Sequence, residues 1–358
     1  MKISGVKLEN FMLFEKLNAK FSPNVNIICG ENSTGKTALI KLLYACAKHD
    51  ATGIHSGDIP RKPFPSKLAC VFGLGNSGDI RELVKYSSEN QSKVVIDYAN
   101  GIQWMFTIGG DNAFYSWGDS WNDPKNESFS IVYIPPKEMI SATENFTSLY
   151  EEFHISFDET YYDLTRLLDR PRKKTLSQIM EKVAQNMETL IGGRIRQKGN
   201  VFYLDMDGIG ELRMSLVSEG YRKLATLLNL VSTGSLSDGA VLFWDEPETN
   251  MNPRMVEPLV KALLSLASAG VQVFITTHDY FVQQYFGLAA EYGEKYQVGT
   301  GNLEYRFLSL SKSRTSDGEE SISLESASRL GDLERNPIAE EFDAVYDREQ
   351  GLIYGDNA

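Results

Sequence analysis

Apolar residues fall in short blocks along the chain, and their spacing divides it into elements. Val25-Asn26-Ile27-Ile28-Cys29 is a compact, largely apolar run closed by Gly30, as a buried strand requires. Residues 37–47 follow with apolar positions at helical spacing. From about Lys48 to Arg213 the pattern is less regular, broken by Gly73, Gly75, Gly78, Gly109-Gly110 and Pro135-Pro136. Within that stretch, 94–98, 104–108 and 131–134 read as strands from their β-branched and aromatic content. Residues 161–168 and 176–191 read as helices, and 202–212 as a hairpin around an Asp-Met-Asp-Gly turn. The most regular segment comes next: a helix over 218–232 stopped by Gly234, a strand over 241–244, a helix over 254–269 closed by Gly270, and a strand over 271–276. Strands and helices alternating at these lengths predict an α/β fold with a mostly parallel sheet covered on both faces. Residues 309–328, Ser-rich and charged, read as a mobile surface segment, and 337–346 as a short docking helix.

With 42% hydrophobic and 23% charged residues, 358 residues suffice for one large domain with insertions or two ordinary ones. No run of 18 apolar residues is present to span a membrane, and the N-terminal MKISGVKLENF lacks the apolar core of a secretion signal. Cys29, Cys46 and Cys70 show no metal-ligand spacing and read as reduced thiols of a cytoplasmic protein. The net charge of −12 is uneven: from Ser311 onward 12 acidic and 5 basic residues leave a net −7. That balance disfavours wholesale coating of nucleic acid while leaving room for a local patch. The densest basic region, 166–198, holds Arg166, Arg170, Arg172, Lys173, Lys174, Arg194, Arg196 and Lys198. It reads either as a solvated helix face or as a contact for nucleic acid or an acidic effector. Trp104, Trp117 and Trp121 read as sheet core rather than base-stacking platforms.

Candidate chemistry begins at residues 30–37, which fit G-x-x-x-x-G-K-[ST] at every fixed position. There the backbone of Asn32, Ser33, Thr34 and Gly35 would wrap a phosphate, Lys36 would reach the β and γ oxygens, and Thr37 would offer its hydroxyl to Mg²⁺. The following helix would aim its positive dipole end at the same anion. Val241-Leu242-Phe243-Trp244 runs directly into Asp245 and Glu246, two carboxylates at a buried strand's end. Asp245 would hold Mg²⁺, directly or through water, and Glu246 would orient or deprotonate an attacking water. A second apolar strand leads to His278, a candidate contact for the γ-phosphate. Asp205 and Asp207 form a DxD, which beside Gly208 reads as a hairpin turn rather than a metal site.

Taken in order, these residues and Ser218-Glu219-Gly220-Tyr221-Arg222-Lys223 resemble the ABC ATPase superfamily, although Glu219 and Tyr221 replace the transporter-like Gly-Gly-Gln. The Ser218 and Gly220 stretch resembles the signature motif, which contacts the γ-phosphate held by the opposite subunit; a Ser opening an ordinary helix is the other reading. Leu8-Glu9-Asn10-Phe11 with Phe14, the Asp245-to-Asn250 run with Pro253, and Ile134-Pro135-Pro136-Lys137-Glu138 resemble the RecF, SMC and OLD branch, and within it standalone bacterial ATPases of phage-defence or toxin-antitoxin operons. The resemblance implies an ABC-type P-loop ATPase head with an antiparallel β region. Its core would comprise 1–47 and 214–306, an inserted α/β lobe 48–213, and an acidic C-terminal segment 307–358. It also implies ATP and Mg²⁺ as cofactors and a homodimer or higher homo-oligomer pairing around ATP. The expected role is a sensor or scaffold controlling a separate effector protein, with no membrane partner. A RecF-like, ATP-dependent DNA-binding repair protein is the alternative, and a transporter subunit fits the motifs poorly. The long SMC coiled coil and the Toprim nuclease domain of OLD enzymes are expected to be missing.

Overall fold

The computed structural model describes residues 2–51, 63–75, 78–86, 91–109, 114–118, 130–153, 155–296, 302–314 and 320–355. The chain opens with β1 (Ile3–Phe11), β2 (Phe14–Lys20), β3 (Val25–Gly30), α1 (Lys36–Ala51) and α2 (Phe64–Val71). There follow β4 (Ser92–Tyr98), β5 (Gln103–Ile108), β6 (Phe114–Gly118), β7 (Ile131–Ile134), α3 (Phe146–Phe153), α4 (Glu159–Leu168) and α5 (Gln178–Ile191). Next come β8 (Gly193–Lys198), β9 (Val201–Met206), β10 (Gly210–Arg213), α6 (Glu219–Ser232), β11 (Val241–Asp245) and α7 (Val256–Ser268). The last elements are β12 (Gln272–Thr277), α8 (Tyr280–Tyr296), β13 (Tyr305–Arg314), β14 (Glu320–Ala327) and α9 (Pro337–Tyr354).

The central sheet has the order β14-β13-β3-β12-β11-β7, parallel throughout except for the antiparallel β14 at one edge. Its apolar strands alternate between two cores, which is why they read as continuous hydrophobic runs. On β11, Leu242 and Trp244 enter the core beneath α4 to α7. Val241 and Phe243 enter the opposite one, shared with α1, α2 and the antiparallel sheet β2-β1-β4-β5-β6. Buried Gln272 joins the two sheets by accepting from Ile3 N at 2.9 Å and donating to the Ile3 carbonyl at 2.8 Å. All three cysteines are buried thiols. Burial pushes Cys29 up to about 12.

Two expectations about domain organisation give way to the strand pairing. Residues 48–213 do not segregate as an inserted lobe, because β4 to β6 continue the sheet begun by β1 and β2, and β7 lies in the central sheet beside β11. Unpaired strand edges require partners, and β1 and β11 find theirs in this stretch. The acidic segment 307–358 likewise starts inside the core, with Phe307, Leu308 and Leu310 of β13 buried. The Ser-rich stretch 309–328 is largely the β13–β14 hairpin, whose serines pair across the strands: Ser311 Oγ lies 2.8 Å from Ser323 Oγ, and Ser313 Oγ 2.8 Å from Ser321 Oγ. Residues 315–319 of it lie outside the described residues. The last helix extends from Pro337 to Tyr354, well past the expected 346, capped by Asn336. Trp104, partly buried, packs against the sheet core, 4.6 Å from the Phe64 ring. The Trp117 side chain and Trp121 lie outside the described residues.

A buried ion cluster fastens α4 to α1 and α2. Lys67 Nζ lies 2.5 Å from Asp163 Oδ2 and 3.5 Å from Glu159 Oε2, and Tyr44 donates to Asp163 Oδ2 at 2.5 Å. Burial alone would raise the Asp163 carboxyl, but Lys67 and Lys48 outweigh it and draw it down to about 2. Asp163→Asn should lower the urea unfolding free energy at pH 7 by about 3 kcal/mol, because it weakens the pairing of a buried cation. The folded Asp163 holds its proton less tightly than an unfolded Asp, whose pKa is about 4. Its contribution is therefore complete above that value and is lost as pH falls through about 2. The gap between variant and wild type should narrow over that window; a gap that stays constant would assign the effect to something other than the charge.

Candidate functional site

The loop between β3 and α1 is shaped by close contacts that only glycine tolerates. Gly30 has φ +144, and a Cβ there would sit 2.1 Å from the Leu310 carbonyl oxygen of β13. Gly35 has φ +90, and its Cβ would sit 2.5 Å from the Phe14 ring. The Phe14 singled out in the sequence thus presses against the loop's second fixed glycine. Glu31, Asn32 and Ser33 are exposed, while Thr34 and Lys36 are buried. Lys36 Nζ donates to the Gly30 and Glu31 carbonyls, each at 2.8 Å. Burial lowers its pKa, opposed by the charges of Glu246 and Asp245.

Parallel pairing brings the other predicted residues to this edge of the sheet. Asp245 is in register with Thr276, and Thr277 with Cys29. Asp245 Oδ1 accepts from Thr37 Oγ1 at 3.0 Å and Thr276 Oγ1 at 2.5 Å, and Oδ2 accepts from Tyr133 OH at 3.2 Å. Burial pushes the Asp245 carboxyl above the usual carboxylate range, against those three donors. Glu246 leaves the strand in left-handed backbone, φ 48. Its N–H donates to the Thr276 carbonyl at 3.2 Å. Its Oε1 lies 3.2 Å from His278 Nδ1. Lys36, Thr37, Asp245, Glu246 and His278 therefore converge from α1, β11 and the end of β12.

The residues present fit a magnesium nucleotide. Thr37 Oγ1 and Asp245 Oδ1, already 3.0 Å apart, are the hard oxygen donors Mg²⁺ prefers. The exposed loop at the start of the 16-residue α1 offers backbone N–H groups to phosphate. When bound, Mg²⁺ neutralises charge on the phosphate oxygens.

Ser218 and Gly220 lie elsewhere, at the start of α6. Among the described residues no hydrogen bond joins either of them to the P-loop. Ser218 occupies the N-cap position, yet its side chain makes no capping bond and is exposed. An ordinary Ser N-cap would spend its oxygen on its own helix. Gly220 is buried against Met251 and Met255.

Several residues at this edge lie in the family-like stretches without a role predicted for them there. Lys223, 2% exposed, reaches from α6 to the Pro247 and Thr249 carbonyls at 3.0 and 2.5 Å. Arg222 lies 3.2 Å from Glu138, in the loop after β7. Glu248 accepts from Thr277 and from the His278 N–H. Each lies inside a stretch the sequence singles out, but its own contacts follow from the strand order.

Part of the basic region meets local partners. Arg194 meets Glu188 at 3.5 Å, Arg196 meets Asp205 at 2.8 Å, and Lys198 pairs with Glu211. Arg172 donates to the Ile195 carbonyl at 2.5 Å. Asp205 is thereby in an ion pair across the β8–β9 ladder, and Asp207 sits in the turn after β9.

Thr276→Val tests the linchpin bond without nucleotide. The isosteric change leaves buried Asp245 short of one donor, and hydrogen bonds to charged groups contribute about 1.5–3 kcal/mol. The urea unfolding free energy of the nucleotide-free protein should fall by about that amount; an unchanged value would mean that Thr37 and Tyr133 suffice.

A family model described as "AAA domain, putative AbiEii toxin, Type IV TA system" matches residues 25–282. The chain is 36% identical over 101 residues to a DNA replication and repair protein RecF of Acetivibrio thermocellus, covering 28% of this chain and 24% of that one. It is 36% identical over 62 residues to RecF of Lachnoclostridium phytofermentans, covering 17% and 16%. The match thus spans about a quarter or less of the length of these relatives. An SMC head bound to the C-winged helix domain of ScpA superposes with TM-score 0.54 at 12% identity, over 93% of this chain and 100% of that one. An SMC head with an extended coiled coil, derived from Pyrococcus furiosus, gives TM-score 0.50 at 12% identity, over 98% and 99%. At such identity the likeness establishes the fold, a P-loop ATPase head. The family match extends over well more than half of the chain, which therefore belongs to the AAA-domain family of AbiEii, type IV TA description.

Proposed function

We propose that this chain binds ATP with Mg²⁺ and hydrolyses it at sites shared between two copies of itself. The observation that carries the reading is the convergence of Thr37, Asp245, Glu246 and His278 at one sheet edge, with His278 Nδ1 3.2 Å from Glu246 Oε1. In this reading Lys36 faces the β and γ oxygens and Thr37 and Asp245 hold the metal. Glu246 accepts the proton of the attacking water, and His278 contacts the γ-phosphate. Asn32, Ser33, Thr34 and Gly35 wrap the phosphates with backbone N–H groups. The uncapped, exposed hydroxyl of Ser218, with Gly220 behind it, supports a role for α6 toward a nucleotide held by the second copy.

The biological role we propose is a sensor or scaffold that governs a separate effector in a defence or toxin-antitoxin module, acting in the cytoplasm. The family description and the acidic stretch after Ser311 support it, since a net −7 favours a basic partner over DNA. Among the described residues no helix is long and apolar enough to cross a membrane. A RecF-like DNA-binding role is the second reading, favoured by the RecF similarity. It would show as ATP-dependent DNA binding lost on reversing the charges of Arg170 and Lys174.

Lys36→Ala should abolish measurable ATP binding, because it removes the buried cation from the phosphate loop. Glu246→Gln should keep ATP binding and lower turnover by about 10²- to 10⁴-fold, the usual contribution of a general base. With turnover blocked, Glu246→Gln should shift from its nucleotide-free mass to a larger assembly on adding Mg-ATP. Wild-type hydrolysis by Glu246→Gln would remove that carboxylate from the mechanism.

A further inference from the structure

Two residues beyond Glu246 the chain buries a second carboxylate. The Glu248 side chain is 6% exposed, against 26% for Glu246, so it is withdrawn from the solvent side where a reacting water would enter. Its Oε1 accepts from Thr277 Oγ1 at 2.7 Å and from His278 N at 3.2 Å, and lies 3.8 Å from His278 Nδ1. Its Oε2 is buried with no hydrogen-bond partner among the described residues. An unpaired carboxyl oxygen in the interior is destabilising, so stability alone does not account for this side chain. Burial also pushes its carboxyl above the usual range.

The surrounding backbone is fixed on both sides. Thr249 N donates to the Glu246 carbonyl at 3.1 Å and Met251 N to the Glu248 carbonyl at 2.8 Å. Lys223 holds the Pro247 and Thr249 carbonyls from α6. The loop therefore presents Glu248 inward, to the end of β12, while Glu246 stays at the open edge.

We infer that Glu248 is the positioning residue for His278. Its Oε1 fixes the Thr277–His278 backbone and, with Glu246, flanks the Nδ1 edge of the imidazole. That leaves Nε2, on the opposite edge of the ring, for the ligand. The inference rests on the reading of Glu246 and His278 as hydrolytic residues and adds the group that orients the second of them.

The experiment is steady-state ATP hydrolysis by Glu248→Ala, Glu248→Gln, His278→Ala and the Glu248→Ala/His278→Ala double variant, with ATP affinity and melting temperature measured alongside. Glu248→Ala should lower kcat by about 10- to 100-fold, the loss found when the hydrogen-bond partner of a metal-bound histidine is removed. Its KM for ATP should stay near wild type. Glu248→Gln keeps an acceptor for Thr277 and the His278 N–H and should retain most turnover. In the His278→Ala background, Glu248→Ala should add little further loss. A Gln variant as inactive as the Ala variant, or losses that multiply in the double variant, overturns the inference. Should Glu248→Ala not fold, Thr277→Val removes one of the two donors to Oε1 and should lower kcat alone; unchanged kcat in folded Thr277→Val overturns it equally. If Glu246→Gln and His278→Ala hydrolyse at wild-type rates, the reading of the whole site falls. If they are impaired while Glu248→Ala is not, only the role of Glu248 falls.

Discussion

Asp245 is buried where three elements meet, and its carboxylate accepts from Thr37, Thr276 and Tyr133. A carboxylate in that position needs those donors, because burial raises the free energy of its charged form. Each donor arrives only if a particular strand pairing forms: β7 beside β11 for Tyr133, β12 beside β11 for Thr276, and β3 beside β12 to bring in α1 and Thr37. The order of the central sheet and the geometry of the site are thus one constraint. The same pairing sets Glu246 beside His278 and Glu248 beneath it, so the loop from Pro247 to Asn250 is coupled to the end of β12.

Asp245, Glu246 and His278 were legible in the sequence because each follows an apolar run. A strand buried on both faces must end in polar residues where it reaches the surface, and the P-loop spacing identifies which edge that is. The helices α1, α6 and α7 were legible from their periodicity, α6 and α7 also from their closing glycines. Strand order was not, since nothing local to 131–134 shows that β7 pairs with β11 rather than with β4 to β6. The β13–β14 hairpin was misread for a related reason. Its serines look solvated, but they satisfy one another across the ladder, and the apolar Phe307, Leu308 and Leu310 supply the burial. The ion pairs of Arg194, Arg196 and Lys198 were not legible because their carboxylate partners, Glu188, Asp205 and Glu211, are interleaved with the basic stretch or lie just beyond it on neighbouring elements. Lys223 and Glu248 lie inside the family-like stretches, which predict no role for them, because their burial and partners are properties of the fold.

In the proposed reading, the edge assembled within one chain would hold and activate a nucleotide, while Ser218 is exposed and makes no capping bond. Lys223 links the helix behind Ser218 to the carbonyls of the loop that carries Glu246. In that reading, a neighbour's ligand at α6 would be connected mechanically to the chain's own carboxylates. Pairing of two copies and hydrolysis would then be two aspects of one event, with each copy supplying the P-loop to one site and Ser218 to the other.

That division of labour is tested most directly by mixing two inactive variants, Lys36→Ala and Ser218→Arg, and measuring ATP hydrolysis. In a mixed pair one site inherits both defects, and the other combines the intact P-loop of the Ser218→Arg copy with the intact Ser218 of the Lys36→Ala copy. The account predicts that each variant alone is inactive and that the mixture regains activity. No recovery from folded variants, or full hydrolysis by Ser218→Arg alone, would contradict it.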